Sequence, residues 1–260
     1  MASTPNLNAA SLFRVDGMVA VISGGGTGKS PSPPNSGQKV VRPPSIIPLT
    51  PLSGIGLIMA RALVTNGAKR VYLLGRRREV LDAAAQENNA FIPIQCDVTS
   101  KSSLQSAVDK IAADAGYINL LLANSGVVGP TVGWRPDLTV SEIRAQLFDQ
   151  AKMDGMTETM NVNVTGAFYT LVAFLELLEA GNQMALKGKG FGAPIEAGSD
   201  VLSVQSQVII TSSISAFSRA AMSPPAYAAS KAAILHLTKH ASSNLAHHGI
   251  RVNALAPGCK

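Results

Sequence analysis

A chain of 260 residues with 46% hydrophobic and 15% charged side chains can bury one sizeable core, and one domain or a small pair is expected. No apolar run reaches the roughly 18 residues of a membrane span, and Met1 to Val15 lacks the basic-then-apolar order of a secretory signal, so a cytoplasmic protein without a membrane partner is expected. The net charge of +6 first suggests nucleic acid, but Lys29 to Gly54 holds Lys29, Lys39 and Arg42 and no acid, so 6 − 3 leaves an ordinary +3 for the rest and no nucleic-acid partner is expected.

Cys96 and Cys259 make neither a disulfide framework nor a metal-ligand spacing, so a reducing compartment and no metal are expected. In chain order, Met18 to Ser23 is a short β-branched apolar run, the pattern of a buried first strand. Gly24-Gly25-Gly26-Thr27-Gly28 follows at once. A glycine turn between a strand and a helix lets backbone amides approach a pyrophosphate, and the helix N-terminus adds positive potential. No helix follows directly, because Lys29 to Leu52 carries seven prolines. The helical pattern resumes at Gly54-Ile55-Gly56-Leu57 and ends near Asn66-Gly67.

Gly28-Lys29-Ser30 has the ending of a phosphate-loop NTPase motif. That motif needs a glycine at position 23, which is Ser23, and a helix after the lysine, where prolines stand. The NTPase is a remote alternative. Val71 to Leu74 is the second strand and ends in Gly75-Arg76-Arg77-Arg78. An acid at this strand end would bind the ribose hydroxyls of NAD, whereas arginine accommodates a 2′-phosphate. NADP(H) is therefore expected over NAD(H), with Arg76 and Arg77 at the phosphate or as a solvated helix start.

Phe91 to Cys96 is the third strand, followed by Asp97-Val98-Thr99, in which Asp97 can cap the next helix. Ile118 to Ala123 is the fourth, closed by Asn124-Ser125-Gly126. Val162 to Phe168 lies on a helix, and Gly181 to Asp200 is a polar, glycine-rich surface excursion. Val208 to Thr211 is the fifth strand and delivers Ser212 and Ser213. Arg251 to Gly258 is the sixth strand with its Pro257-Gly258 turn. His236, His240, His247 and His248 have no acid or cysteine beside them and read as exposed helix residues.

Tyr227 and Lys231 stand four apart in a helix-favouring run, Ala-Tyr-Ala-Ala-Ser-Lys-Ala. On a helix they share a face, where an ammonium can stabilise a tyrosine anion and bring a pKa of about 10 toward neutrality. Such a tyrosine is a usable general acid or base. The same spacing also occurs on ordinary helices.

Tyr-x-x-x-Lys at Tyr227 and Lys231, Ser212-Ser213 upstream and the glycine-rich first turn, all in this order, resemble the short-chain dehydrogenases/reductases from about Phe13 to Gly258. Within that family the chain is most similar to the fungal, 3-oxoacyl-carrier-protein-reductase-like type. The resemblance implies a Rossmann-type α/β fold, doubly wound with a mainly parallel sheet, in a single domain over 1–260 interrupted at 29–54. It implies hydride transfer between NADP(H) and a carbonyl/alcohol substrate. Tyr227 would move the proton, with Lys231 on the nicotinamide ribose. Ser213 would polarise the carbonyl, with Ser212 and Ser215 as alternatives because Ser213 lies 14 residues before Tyr227, one more than usual. Asn163 would hold a relay water. Gly24, Gly28, Ile55, Gly56, Asp97, Val98, Asn124, Gly126, Pro257 and Gly258 would join Arg76, Arg77, Tyr227 and Lys231 at the cofactor. Ala123 and Ser125 depart from the family's Asn-Asn-Ala-Gly. A homo-oligomer is implied for the full-length protein.

Removing Lys29 to Gly54 joins Gly28 to Ile55-Gly56 and restores the family's turn, with Ser23 in the place of its threonine. The 26 residues read as a translated intron: Gly28-Lys29-Ser30 can be encoded with a splice donor and Ser53-Gly54 with an acceptor. The alternative is a true Pro/Ser-rich loop. Cys259-Lys260 can also be encoded with a donor, where the family continues to a substrate lid and a seventh strand. A catalytically impaired, mis-spliced enzyme is therefore the alternative function.

Overall fold

Among the described residues, five of the six strands carry two or more buried residues, because helices pack on both faces of one parallel sheet. The computed structural model describes residues 13–24, 54–221 and 223–258. Gly28 and nearly all of the proline-rich stretch lie outside these. The described chain alternates β1 (Val19–Ser23), α1 (Ile55–Thr65), β2 (Arg70–Gly75), α2 (Arg78–Ala85), β3 (Phe91–Gln95), α3 (Lys101–Asp114) and β4 (Leu120–Ala123). Then come α4 (Val140–Arg144), α5 (Met153–Met160), α6 (Ala167–Ala173), α7 (Leu175–Leu186), β5 (Gln207–Thr211), α8 (Pro225–Leu245) and β6 (Arg251–Leu255).

The strand order is β3-β2-β1-β4-β5-β6 and every pairing is parallel. β1 and β4 pair at the centre, Ala20 beside Leu120 and Ser23 beside Ala123. Since consecutive crossovers leave β1 in opposite directions along the sheet, a crevice opens at the carboxyl ends of β1 and β4, the usual ligand position in such a sheet. Side chains alternate between two cores. Val19, Val21, Tyr72, Leu121 and Val208 pack with residues of α3, α6, α7 and α8. Ala20, Ile22, Val71, Leu73 and Leu122 pack with α1 and α2 on the other face.

The strands match the sequence expectation to within two residues at each end apart from the Pro-Gly turn after β6. One segment differs. Gly181 to Leu186 belongs to α7, with Gly181, Asn182 and Ala185 buried, so the excursion starts only after Leu186. The glycine is there for contact: a Cβ on it would come within 2.1 Å of the Ile118 carbonyl oxygen. The helix around the expected Asn163 also winds differently. Asn161–Gly166 is a π-helical turn between α5 and α6.

Among the described residues no single helix is long and apolar enough to cross a membrane. Met153–Ala173 with Leu175–Leu186 would suffice as a pair but is bent by 42°, and its Leu171, Phe174 and Leu178 are in the core. All four histidines after Lys231 are exposed, and no group of three or more metal-ligating side chains occurs among the described residues.

Candidate active site

The crevice is built first from glycine. Gly24 follows β1 at a φ of +70°, and its N–H donates to the Leu74 carbonyl over 2.8 Å. Gly56, in the first turn of α1, approaches so closely that a Cβ would lie 2.6 Å from the Gly24 carbonyl oxygen and 2.8 Å from Asn124 Nδ2. The two ends of the glycine turn are thus neighbours although most of the residues between them are outside the described set. Gly54 takes the N-cap position with extended backbone, and its carbonyl accepts from Leu57 and Ile58 N–H. The earlier amides, Ile55 and Gly56, precede this ladder and have no intrahelical acceptor. They face the crevice side of the sheet at the positive end of the helix, the chemistry a diphosphate needs.

Arg76 and Asp97 sit at the ends of neighbouring strands. Gln95 Nε2 donates to the Arg76 carbonyl over 2.9 Å, which ties the two strand ends together. Partial burial pushes the Asp97 carboxyl up, but the Thr99 amide and hydroxyl and the nearby Arg76 charge outweigh this and hold it below the usual carboxylate range. Ser103 Oγ accepts from the Asp97 N–H at 2.9 Å. The cap of α3 is Ser100, whose side chain accepts from Ser103 N–H, and not Asp97 as the sequence suggested; Asp97 bonds to Thr99 just before the helix and remains charged beside Arg76, while Val98 is buried behind it. Arg77 is the N-cap residue of α2, and Arg78 pairs with Asp82.

Asn124 and Gly126 follow β4. Asn124 N–H and Ser125 N–H both donate to Ser23 Oγ, so the serine at the threonine position bridges β1 and β4. Asn124 Oδ1 accepts from Thr211 Oγ1 at 3.1 Å. The Gly126 position is closed to any side chain of size: a Cβ would meet Asn163 Oδ1 at 3.2 Å and Lys231 Nζ at 3.4 Å.

Pro225 begins α8 at its first turn, where a missing N–H costs nothing. This places Tyr227 and Lys231 one turn apart near its N-terminus. Lys231 is 4% exposed and its Nζ lies 5.6 Å from the centroid of the Tyr227 ring. Nζ donates to the Thr211 carbonyl at 2.7 Å. Burial lowers the ammonium from 10.5 to about 8. Ser212 and Ser213 come off β5 beneath this turn. Ser212 Oγ is committed to the Lys231 carbonyl at 2.9 Å, whereas Ser213 Oγ accepts from Ser215 N–H at 3.1 Å and keeps its own proton to offer. Of the two hydroxyls, only that of Ser213 has its proton uncommitted among the described residues.

Asn163 is buried in the π-helical turn. Its Oδ1 accepts from Val127 N–H and its Nδ2 donates to the Val127 carbonyl, both at 2.8 Å. Nδ2 also donates to Ser230 Oγ at 2.9 Å. Pro257 and Gly258 follow β6, with the Pro257 carbonyl accepting from Ile214 N–H and Gly258 against Ile214. The structure thus brings Asn163, Ser213, Tyr227 and Lys231 to one place at the carboxyl ends of β4 and β5, with Gly24, Gly56, Asn124 and Gly126 alongside and Arg76 and Asp97 at the β2 and β3 ends. Thr211 and Ser230 are contacts that reading the sequence missed. A serine next to the lysine is the only local sign of the second, and nothing in the sequence pairs it with Asn163.

A family model described as Enoyl-(Acyl carrier protein) reductase matches residues 51–259. The chain belongs to the short-chain dehydrogenase/reductase family. It is 58% identical over 201 residues to Short-chain dehydrogenase/reductase SAT3 of Stachybotrys chartarum, covering 77% of this chain and 73% of that protein. Among solved structures, a Pseudomonas aeruginosa RhlG/NADP active-site complex superposes with a TM-score of 0.66 at 21% identity, over 95% of this chain and 75% of that one. An NAD+-bound xylitol dehydrogenase gives 0.62 at 26% identity, over 94% and 71%. The family match begins at residue 51, within the last four residues of the proline-rich stretch. The family's fold binds a nicotinamide cofactor, and the glycine contact, the α1 N-terminus and the Asp97–Arg76 pair suit such a group.

Proposed function

We propose that this short-chain dehydrogenase/reductase interconverts a small-molecule carbonyl and alcohol with NADP(H), using Tyr227 as general acid and base. The observation that carries the reading is Lys231: a buried ammonium, held by the Thr211 carbonyl, one helical turn from Tyr227 and over the same site as Ser213. A nicotinamide held at the Gly24–Gly56 turn and beside Asp97 would supply or accept the hydride. Carbonyl reduction also needs one proton at the carbonyl oxygen. Tyr227 gives the proton and is left as phenolate, which the Lys231 ammonium one helical turn away stabilises. The Ser213 hydroxyl donates to the carbonyl oxygen and orients it. Asn163 braces the wall formed by Val127 and Gly126, and we propose that it supports the water through which Tyr227 is reprotonated. In oxidation the phenolate takes the alcohol proton.

Arg76 supports NADP(H): no acid stands at the end of β2, and the guanidinium lies near the Asp97 carboxylate rather than replacing it. The relatives with bound cofactor carry NADP in one case and NAD+ in the other, so the preference rests on Arg76. A second reading, of a chain impaired at its cofactor turn, is favoured by the position of Lys29 to Gly54 between Gly24 and Gly56.

Tyr227→Phe tests the chemistry, since it removes only the titrating hydroxyl. We expect NADPH binding within a few-fold of the parent and a loss of carbonyl reduction on the order of a hundredfold or more. Reduction within a few-fold of the parent would leave Tyr227 an ordinary helix residue.

A further inference from the structure

We propose that Ser230 is a positioning residue, the tie that holds the Tyr227–Lys231 turn against the Asn163 turn; the proposal rests on Tyr227 being the proton donor. Ser230 is fully buried. Its Oγ donates to the Tyr227 carbonyl at 2.8 Å and accepts from Asn163 Nδ2 at 2.9 Å. A helical serine bonding to the carbonyl three residues back is ordinary. The bond to a residue 67 positions away is not a local feature of the helix.

The directions of these bonds are forced. Val127 N–H donates to Asn163 Oδ1, so the amide cannot be turned round, and Nδ2 must point at the Val127 carbonyl and at Ser230. Ser230 has one proton; with Nδ2 donating to it, that proton goes to the Tyr227 carbonyl. In an α-helix this carbonyl also receives the N–H of the residue four further on, which is Lys231. The serine is therefore bonded to the Tyr227 carbonyl that also accepts the Lys231 N–H.

Two anchors hold this turn. One runs to β5, through Ser212 Oγ on the Lys231 carbonyl and Lys231 Nζ on the Thr211 carbonyl. The other runs through Ser230 and Asn163 to Val127, beside Gly126, whose position touches both Asn163 Oδ1 and Lys231 Nζ. The first reaches the stretch after β4 only at Asn124, through the Thr211 hydroxyl; the second ties the turn to Val127, further along that loop. Without the Ser230 hydroxyl the turn is held from one side, and an angstrom of misplacement in a reacting group can cost around a hundredfold in rate.

The experiment compares Ser230→Ala and Ser230→Thr with the parent, in the 260-residue chain and in the chain lacking Lys29 to Gly54, which supplies none of these atoms. Turnover is followed by NADPH oxidation with 4-nitrobenzaldehyde and divided by the number of NADPH-binding sites from fluorescence titration, which removes any contribution from unfolded protein. We expect Ser230→Ala to lower turnover per site about tenfold or more with NADPH affinity within about twofold, a fraction of the full misplacement cost. Ser230→Thr, which keeps the hydroxyl, recovers most of that loss. Parental turnover per site in Ser230→Ala overturns the proposal, as does an equal loss in both variants with NADPH sites intact. Tyr227→Phe is assayed alongside: if it keeps parental turnover, the proton-donor reading fails, whatever Ser230 does.

Discussion

Lys231 places a charge where burial opposes it, and that opposition is measurable. In the folded chain it titrates at about 8 instead of 10.5. Between those values the unfolded chain holds the extra proton, so stability rises with pH across that window, and the penalty is complete below about pH 8. The fall from 10.5 to about 8 corresponds to a cost of about 3 kcal/mol at neutral pH. We expect Lys231→Met to stabilise the fold at pH 7 by less than this figure, because the Thr211 carbonyl loses its ammonium donor, to raise the melting temperature accordingly, and to abolish turnover. The gain should shrink toward pH 10, where the parent no longer carries the charge. Equal shifts at pH 7 and pH 10 in thermal unfolding would refute this account. Arg76 poses a simpler question. If it selects the 2′-phosphate, the parent has a higher kcat/KM with NADPH than with NADH, and Arg76→Asp reverses the ratio; a parent that already prefers NADH removes Arg76 from the site.

At the level of elements, the glycine turn was legible in its parts from the residues, and in its join only through the family resemblance, because backbone contact across some thirty residues leaves no periodic trace; the structure sets Gly56 against Gly24. The ends meet, so the frame for a diphosphate is present. In the sequence Gly25 to Gly28 come next after Gly24, and Lys29 to Gly54 separates them from Ile55. We expect deletion of Lys29 to Gly54 to tighten NADPH binding by about tenfold or more, since amides must sit within hydrogen-bond distance of phosphate. Equal affinity before and after deletion, by fluorescence titration, would make the stretch a tolerated loop and end the intron reading. The error at Gly181 has a related cause. Glycine reads as a breaker, but here it lets α7 press on the Ile118 carbonyl, and tertiary contact overrides its low helix propensity. Asn163 was legible as a helix residue but its wider, π-helical turn was not, since one residue's aim toward Val127 is set by a partner 36 positions away.

For the whole molecule, the alternation of apolar runs with helical segments was enough to read a doubly wound parallel sheet, because runs such as Val-Ala-Val-Ile and Val-Tyr-Leu-Leu are apolar on both faces and need cover on both. What sequence could not supply was the network of single hydrogen bonds around Lys231, which joins β4, β5, the π-helical turn and α8 through residues scattered from Asn124 to Ser230. The strand order has a further consequence, in time. With β1 between β2 and β4, its two pairings close chain loops of very different length: Val19 meets Arg70, 51 residues on, and Ala20 meets Leu120, 100 residues on. Removing the 26 residues from 29 to 54 would shorten the first loop by about half, a change of about 0.6 kcal/mol in closure entropy. The stretch is therefore nearly neutral for the equilibrium stability of the sheet. Its effect falls on the order of assembly: the β1–β2 pair, the most local one at the centre, closes later, and β1 waits unpaired for longer while the slow parallel pairings to β4 and beyond are found.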